Sequence, residues 1–195
     1  MSNFVINLKI KTQCNWQYNY INKKLRITKC IYNSLRNIEL KKLSLLKNDI
    51  EYNRIINLSY KDRTKDDKNK YNELIKSYGL TRFDFINDVK PIYKFYKGSY
   101  SSQMAQAVAK RLYTAFDKYF YENSEEINEM FRCNSFESTS NTNGIIFNKN
   151  QMNVKIGKYT FELAYNKNNT YIKEALLNDV SYVRIVKMIG KTKDY

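Results

Sequence analysis

The stretch Lys90-Pro91-Ile92-Tyr93-Lys94-Phe95-Tyr96-Lys97-Gly98-Ser99-Tyr100 interleaves cations with aromatic rings. A lysine ammonium neutralises a phosphate and releases its counterions, while an aromatic face stacks on an unpaired base or a sugar. Lys94, Tyr96, Lys97 and Tyr100 are its candidate contacts. A second set, Ser102, Gln103, Gln106 and Lys110, falls on one arc of a helix. Gln can bridge an adenine edge in the major groove, and Lys can take a phosphate or guanine O6/N7. A third set, Lys23, Lys24, Arg26 and Lys29, continues through Arg36, Lys41, Lys42 and Lys47 and meets only Glu39 before Asp49. Such a run suits a phosphate backbone. Each set also has a plainer reading, as an element edge or helix face that solvates its charges and buries its rings.

Catalysis has less to work with. There is no His, which removes the usual general base and the commonest zinc ligand. Cys14, Cys30 and Cys133 form no CxxC pair and are read as reduced thiols of a cytoplasmic protein. Metal-assisted phosphodiester cleavage needs convergent carboxylates. Asp62, Asp66 and Asp67 lie among lysines, whereas Asp84, Asp88, Glu125 and Glu126 sit at helix starts, where the macrodipole accounts for them. No active site and no cofactor are expected.

The 195 residues carry 34 Lys and Arg against 19 Asp and Glu, a formal charge of +15, so polyanions are the favoured partners. Hydrophobic residues make up 43%, enough for a core. No apolar run reaches the length of a membrane span, and the start lacks signal-peptide architecture. Heavy use of Asn, Lys, Ile and Tyr fits an AT-rich coding sequence, which inflates Lys but not Arg.

The elements that must hold these sets follow from periodicity. Residues 4–11 alternate from Ile6 onward and read as a strand. Residues 15–58 contain no Pro or Gly, and Trp16, Ile21, Leu25, Ile31, Leu35, Ile38, Leu46, Ile50 and Ile55 recur at helical intervals, giving one long helix or two in series. Residues 61–70 read as a solvated linker. A short helix through Tyr71, Leu74, Ile75 and Tyr78 ends at Gly79. Thr81 and Asp84 resemble a capping box for another helix, which Pro91 should end. Ser101 or Ser102 caps the clearest helix, whose core arc is Met104, Ala105, Val108, Leu112, Ala115, Phe116 and Tyr119. Residues 125–131 suggest a last helical turn and 135–143 a loop. Strands follow at 144–147, 152–156, 159–165 and 182–186, with Gly157-Lys158 as a two-residue hairpin turn. The first strand has no neighbour in sequence and is expected to pair with this late sheet. The fold class is therefore α+β: a small antiparallel β-barrel from residues 1–14 and 134–195, with a helical bundle, residues 15–133, inserted after its first strand.

The order of these motifs resembles a family. Ser102-Gln103-Met104-Ala105-Gln106, Arg111-Leu112, Ala115-Phe116 and Tyr119-Phe120 are similar to the helix "S..AQ…RL..AF..FF" of TnpB (OrfB), the transposon-encoded RNA-guided nuclease related to type V CRISPR effectors. Asn143-Gly144-Ile145-Ile146-Phe147 resembles that family's "TGIRF" strand, and Val183 to Lys191 its "RIVRKTIRGK" segment. Tyr78-Gly79-Leu80-Thr81 and Phe83-Asp84-Phe85 also sit where the family has counterparts. The resemblance implies a wedge β-barrel with a recognition insert that holds structured guide RNA and double-stranded DNA. It also implies that Gln103 and Gln106 lie near a target-adjacent motif.

The sequence departs from the family in one respect. It ends at Tyr195, where the RuvC-like half should begin, so the family's Asp–Glu–Asp metal site and zinc-ribbon cysteines are missing. A fragment, a decayed copy, or a shortened protein kept for binding would all look like this, and a nuclease half or full-length homologue could act in trans. Two other classes stay open. One is a DNA-binding regulator or transposase accessory protein that works without RNA. The other is an interaction partner of a nuclease.

Overall fold

The computed structural model describes residues 4–12, 14–122 and 126–188. The Gly- and Pro-free stretch forms two helices in series, α1 (Asn15–Lys47) and α2 (Ile50–Ile56). Asp49 separates them because its carboxylate accepts the Tyr52 N–H (3.0 Å) and so caps α2. The buried stripe of α1 passes through Leu25, Thr28, Ile31, Leu35, Glu39, Leu43 and Leu46. Trp16, Ile38 and Ile50, expected in the core, fall off that stripe and face solvent.

Residues 61–70 are only partly a linker. Thr64 and Asp67 form a reciprocal capping box, so α3 (Lys65–Ser77) starts inside the charged run. It closes as expected: Gly79 has φ +66°, and Leu80 N–H donates to Ile75 O (3.0 Å) in a Schellman motif. The Thr81–Asp84 box starts α4 (Arg82–Lys94). Pro91 does not end α4 but lies inside it, three residues from its end. The ring is exposed, so the one amide bond it forfeits lies on the solvent side while Val89 and Ile92 keep the inner face packed.

The central helix α5 (Ser102–Tyr121) is capped by Ser101, whose Oγ accepts the Met104 N–H (3.1 Å). Phe85 of α4 meets Phe116 edge-on at 4.9 Å between centroids, and Leu112 and Phe116 are fully buried. Of the arc expected to be core, Met104, Ala105, Val108, Leu112 and Phe116 are buried and Ala115 and Tyr119 half-buried against the cluster, and Ala107 and Ala109 are buried as well. Residues 126–131 are not helical. They lie along α1 because its side chains take their backbone groups: Arg36 Nε donates to Ile127 O (2.7 Å), while Asn33 accepts from Met130 N–H and donates to Met130 O.

The strands are β1 (Lys9–Ile10), β2 (Ser135–Glu137), β3 (Ile145–Asn148), β4 (Asn153–Ile156), β5 (Tyr159–Ala164) and β6 (Arg184–Val186), with a short α6 (Thr170–Leu176) that periodicity did not reveal. The first strand is much shorter than its alternation suggests. It does pair with the late sheet: Lys9 faces Ala164 in an antiparallel ladder of order β1-β5-β4-β3. Ile156 opposes Tyr159, so Gly157-Lys158 is the two-residue turn expected. β2 occupies the start of the stretch whose composition signals a loop, and it pairs antiparallel with β6. The described strands pair as one four-stranded and one two-stranded antiparallel sheet, with no ladder detected that closes them into a barrel, so the chain is α+β with a small antiparallel sheet. One buried cluster runs from α1 through α5 into β3, β4 and β5.

Candidate nucleic-acid interface

The two lysine-rich sets, on α1 and in the turn after α4, meet in space. Residues 95–100 fold back in a tight turn, Tyr100 N–H donating to Tyr96 O (2.9 Å). That turn is fastened to α1 at two points. Lys24 Nζ donates to Ser99 O, and the Thr28 and Tyr100 hydroxyls share a hydrogen bond of 2.7 Å.

The fastening decides which residues remain available. Lys24 is only 4% exposed, and burial, with Lys23 nearby, lowers its pKa to about 8. Tyr100 is also 4% exposed, and burial pushes its phenol far above the usual range. Both side chains are therefore turned into the fold rather than presented on the surface. Their burial satisfies the turn's polar groups. Lys23, Arg26, Lys94 and Lys97 are exposed, and Lys29 and Tyr96 half-buried. None of these cations pairs with a carboxylate among the described residues, whereas Lys42 pairs with Glu39 and Asp88 and Arg36 bonds to Ile127 O. The open ring of the turn is Phe95, 88% exposed between Lys94 and Lys97. Alternation of cation and aromatic could have flagged it as readily as Tyr96.

The α5 arc is a separate place. Gln103 is occupied: its Oε1 accepts from Ser138 (3.2 Å) and Ser140 (2.9 Å), bracing the loop before β3. Reading a base would break that brace. Ser102 is exposed and Gln106 half-buried. Lys110 lines a shallow cavity of about 250 Å³ with Arg82, Tyr113, Thr114 and Asp117. Arg82 therefore joins Lys110 at the amino end of α4, a pairing invisible in sequence because 28 positions separate them. The loop that Gln103 braces leads to Gly144 at φ +85°, where a Cβ would lie 2.2 Å from Ser101 Oγ, so only glycine lets β3 start against the α5 cap.

Periodicity also missed a cluster at the first turns of α1. Trp16 lies 4.9 Å from Tyr159 between centroids, and Tyr20 meets Tyr159 edge-on at 4.8 Å. The sole available signal was Lys158-Tyr159 after the hairpin glycine. Among the described residues no group of His, Cys, Asp or Glu could hold a metal ion, and no helix is long and apolar enough to cross a membrane. No protein-family model, curated protein or solved structure matches the chain.

Proposed function

We propose that this chain is a nucleic-acid-binding module, the wedge-and-recognition part of a TnpB-like transposon protein, that holds guide RNA and duplex DNA chiefly through phosphates. The observation that carries this reading is a set of exposed cations, Lys23 and Arg26 on α1 and Lys94 and Lys97 beside the turn that Lys24 and Tyr100 fasten to that helix, none of which pairs with a carboxylate among the described residues. Unpaired cations on a rigid scaffold bind a polyanion without first breaking internal ion pairs. The resemblance to the TnpB helix and strand motifs supplies the family, and the pairing of β1 with β5 across a helical insert agrees with it. In this reading the two small sheets belong to a wedge barrel, and Gln106 with Lys110 and Arg82 face the target-adjacent duplex. Gln103 braces that face rather than reading it.

Nucleic acid that co-purifies with the chain tests the proposal. RNA of discrete size supports it. Duplex DNA alone supports the RNA-independent regulator, and neither, at low salt, would sink both in favour of a protein-interaction role. The chain is expected to show no Mg²⁺- or Mn²⁺-dependent cleavage of DNA with or without that RNA. Metal-dependent cutting that survives stringent purification would overturn the assignment as a binding module.

A further inference from the structure

On one face of α1, Trp16, Tyr20 and Lys23 recur at steps of four and three, a line of about 10 Å at 1.5 Å per residue. The β4–β5 hairpin is clamped against the start of this line. Tyr20 Oη donates to Ile156 O (3.0 Å), and Gly157 sits so close that a Cβ there would be 2.6 Å from Tyr20 Oη. This clamp sets Tyr159 and Phe161 behind the indole, at 4.9 and 6.4 Å between centroids. Lys24 Nζ lies 4.5 Å from the centre of the Tyr20 ring, and Lys158 Nζ 5.1 Å from that of Tyr159. Both tyrosines thus have cations of their own. Trp16 has none among the described residues, and 48% of it is open to solvent.

We propose that Trp16 is a stacking platform for an unpaired base of a nucleic-acid strand, whose flanking phosphates are held by Lys23 and Lys158. This rests on the nucleic-acid reading above and specifies a single-stranded contact distinct from the turn after α4. The occupant follows from charge and shape. An indole held on its inner side by two tilted rings, and about half open to solvent, offers its open side to a flat partner at little further cost in rotamer freedom. Lys23 and Lys158 are exposed and pair with no carboxylate among the described residues, so the platform is flanked by cations and suits an anionic strand. A base pair inside a duplex could not use it, because both its faces are already stacked on neighbouring pairs.

Trp16 is the only tryptophan in the chain, so its fluorescence reports on this site alone when excited where tyrosine does not absorb. The full chain is titrated with labelled oligo(dT) or oligo(U), with an abasic strand of equal charge, and with a duplex, and anisotropy follows binding independently. Expected is saturable quenching by the base-bearing single strands, with none by the abasic strand or the duplex even where anisotropy shows them bound. Binding of oligo(dT) and oligo(U) that leaves the indole unmoved, or equal quenching by the abasic strand, overturns the platform but leaves the nucleic-acid reading standing. Absence of binding by every probe at low salt overturns both. Trp16→Leu, which keeps apolar cover over Tyr159, is expected to weaken oligo(dT) binding about five- to hundredfold and abasic binding hardly at all. Should that variant fail to fold, the wild-type titration still decides the matter.

Discussion

The two ends of α1 use their cations in opposite ways. Near the amino end, Lys23 and Arg26 are exposed and pair with no carboxylate among the described residues. Near the carboxyl end, Lys42 Nζ sits between Glu39 and Asp88 and also donates to Gly79 O (3.0 Å), tying α1 to α4 and to the turn before it. In sequence the two stretches look alike, Lys23-Lys24 and Lys41-Lys42 on the same helix. The difference shows that a charge count measures potential partners only after burial has claimed its share. Lys24, Arg36, Lys42 and Arg111 are all spent inside the fold.

The largest expected effect comes from the internal end. Lys42→Met removes the ammonium that ties Asp88, Gly79 O and the fully buried Glu39 together, and leaves Asp88 without its counter-charge. A hydrogen bond to a charged group contributes about 1.5–3 kcal/mol; since Lys42 and Asp88 keep some solvent, about 2 kcal/mol is expected at neutral pH. Thermal and denaturant melts measure it, and nucleic-acid affinity of the folded fraction should not change. A drop in affinity with stability intact would place Lys42 on the interface and erase the contrast.

The open end should behave in reverse. The combined change Lys23→Ala, Arg26→Ala and Lys97→Ala is expected to leave melting nearly untouched, since solvent-facing substitutions stay within about 0.5 kcal/mol each. It should flatten the dependence of log K on log salt by about 0.9 for each duplex phosphate no longer neutralised, or about 0.7 on a single strand. Binding titrations across salt concentrations measure the slope. An unchanged slope would mean that these side chains are merely solvated.

Much of this contrast could not have been read from sequence. Periodicity found α5, the Gly157-Lys158 hairpin and the long-range pairing of β1, because each follows from the spacing of apolar residues or from a turn glycine. It could not tell Lys23 from Lys24, since one residue on a helix turns the side chain by about 100° and both positions are chemically sensible for a phosphate. The burial of Tyr100 was hidden for a similar reason: its partner, the Thr28 hydroxyl, lies 72 positions away. Residues 126–131 failed because the side chains that hold them extended, Asn33 and Arg36, belong to another element. The reach of Gln103 across to Ser138 and Ser140 is again a tertiary fact.

A middle-sized effect separates the two glutamines. Gln103→Ala should cost about 1 kcal/mol of stability by removing the loop brace, and alter target discrimination only as far as the loop shifts. Gln106→Ala should leave melting intact and lose about 1–3 kcal/mol of discrimination between duplexes varied at the target-adjacent positions. Lys110→Ala should weaken all duplexes about equally, as a phosphate contact does. Competition binding alongside melts tests the three together. Wild-type discrimination in a folded Gln106→Ala protein would move the reading face to residues 94–97.

A pH slope probes the internal end most finely. Glu39 has no exposed surface; Lys42 Nζ lies 3.2 Å from its Oε2 without hydrogen-bond geometry, so neither carboxylate oxygen receives a hydrogen bond. Burial first, and then Asp88 alongside, raise its pKa to about 8, against the partial opposition of Lys42. The folded chain therefore holds a proton on Glu39 that the unfolded chain releases near the ordinary glutamate value of about 4.3. Where the native state binds more protons than the unfolded state, stability falls as pH rises. The contribution of Glu39 is thus complete below about pH 4 and is lost progressively up to about pH 8. Glu39→Gln keeps the shape and fixes the neutral form, so its melting temperature should decline less between pH 5 and 8 than that of the unaltered chain. It should match or exceed that chain at pH 8. Parallel slopes for the two proteins would mean that Glu39 is ionised inside the fold and that the Lys42 ion pair outweighs its burial.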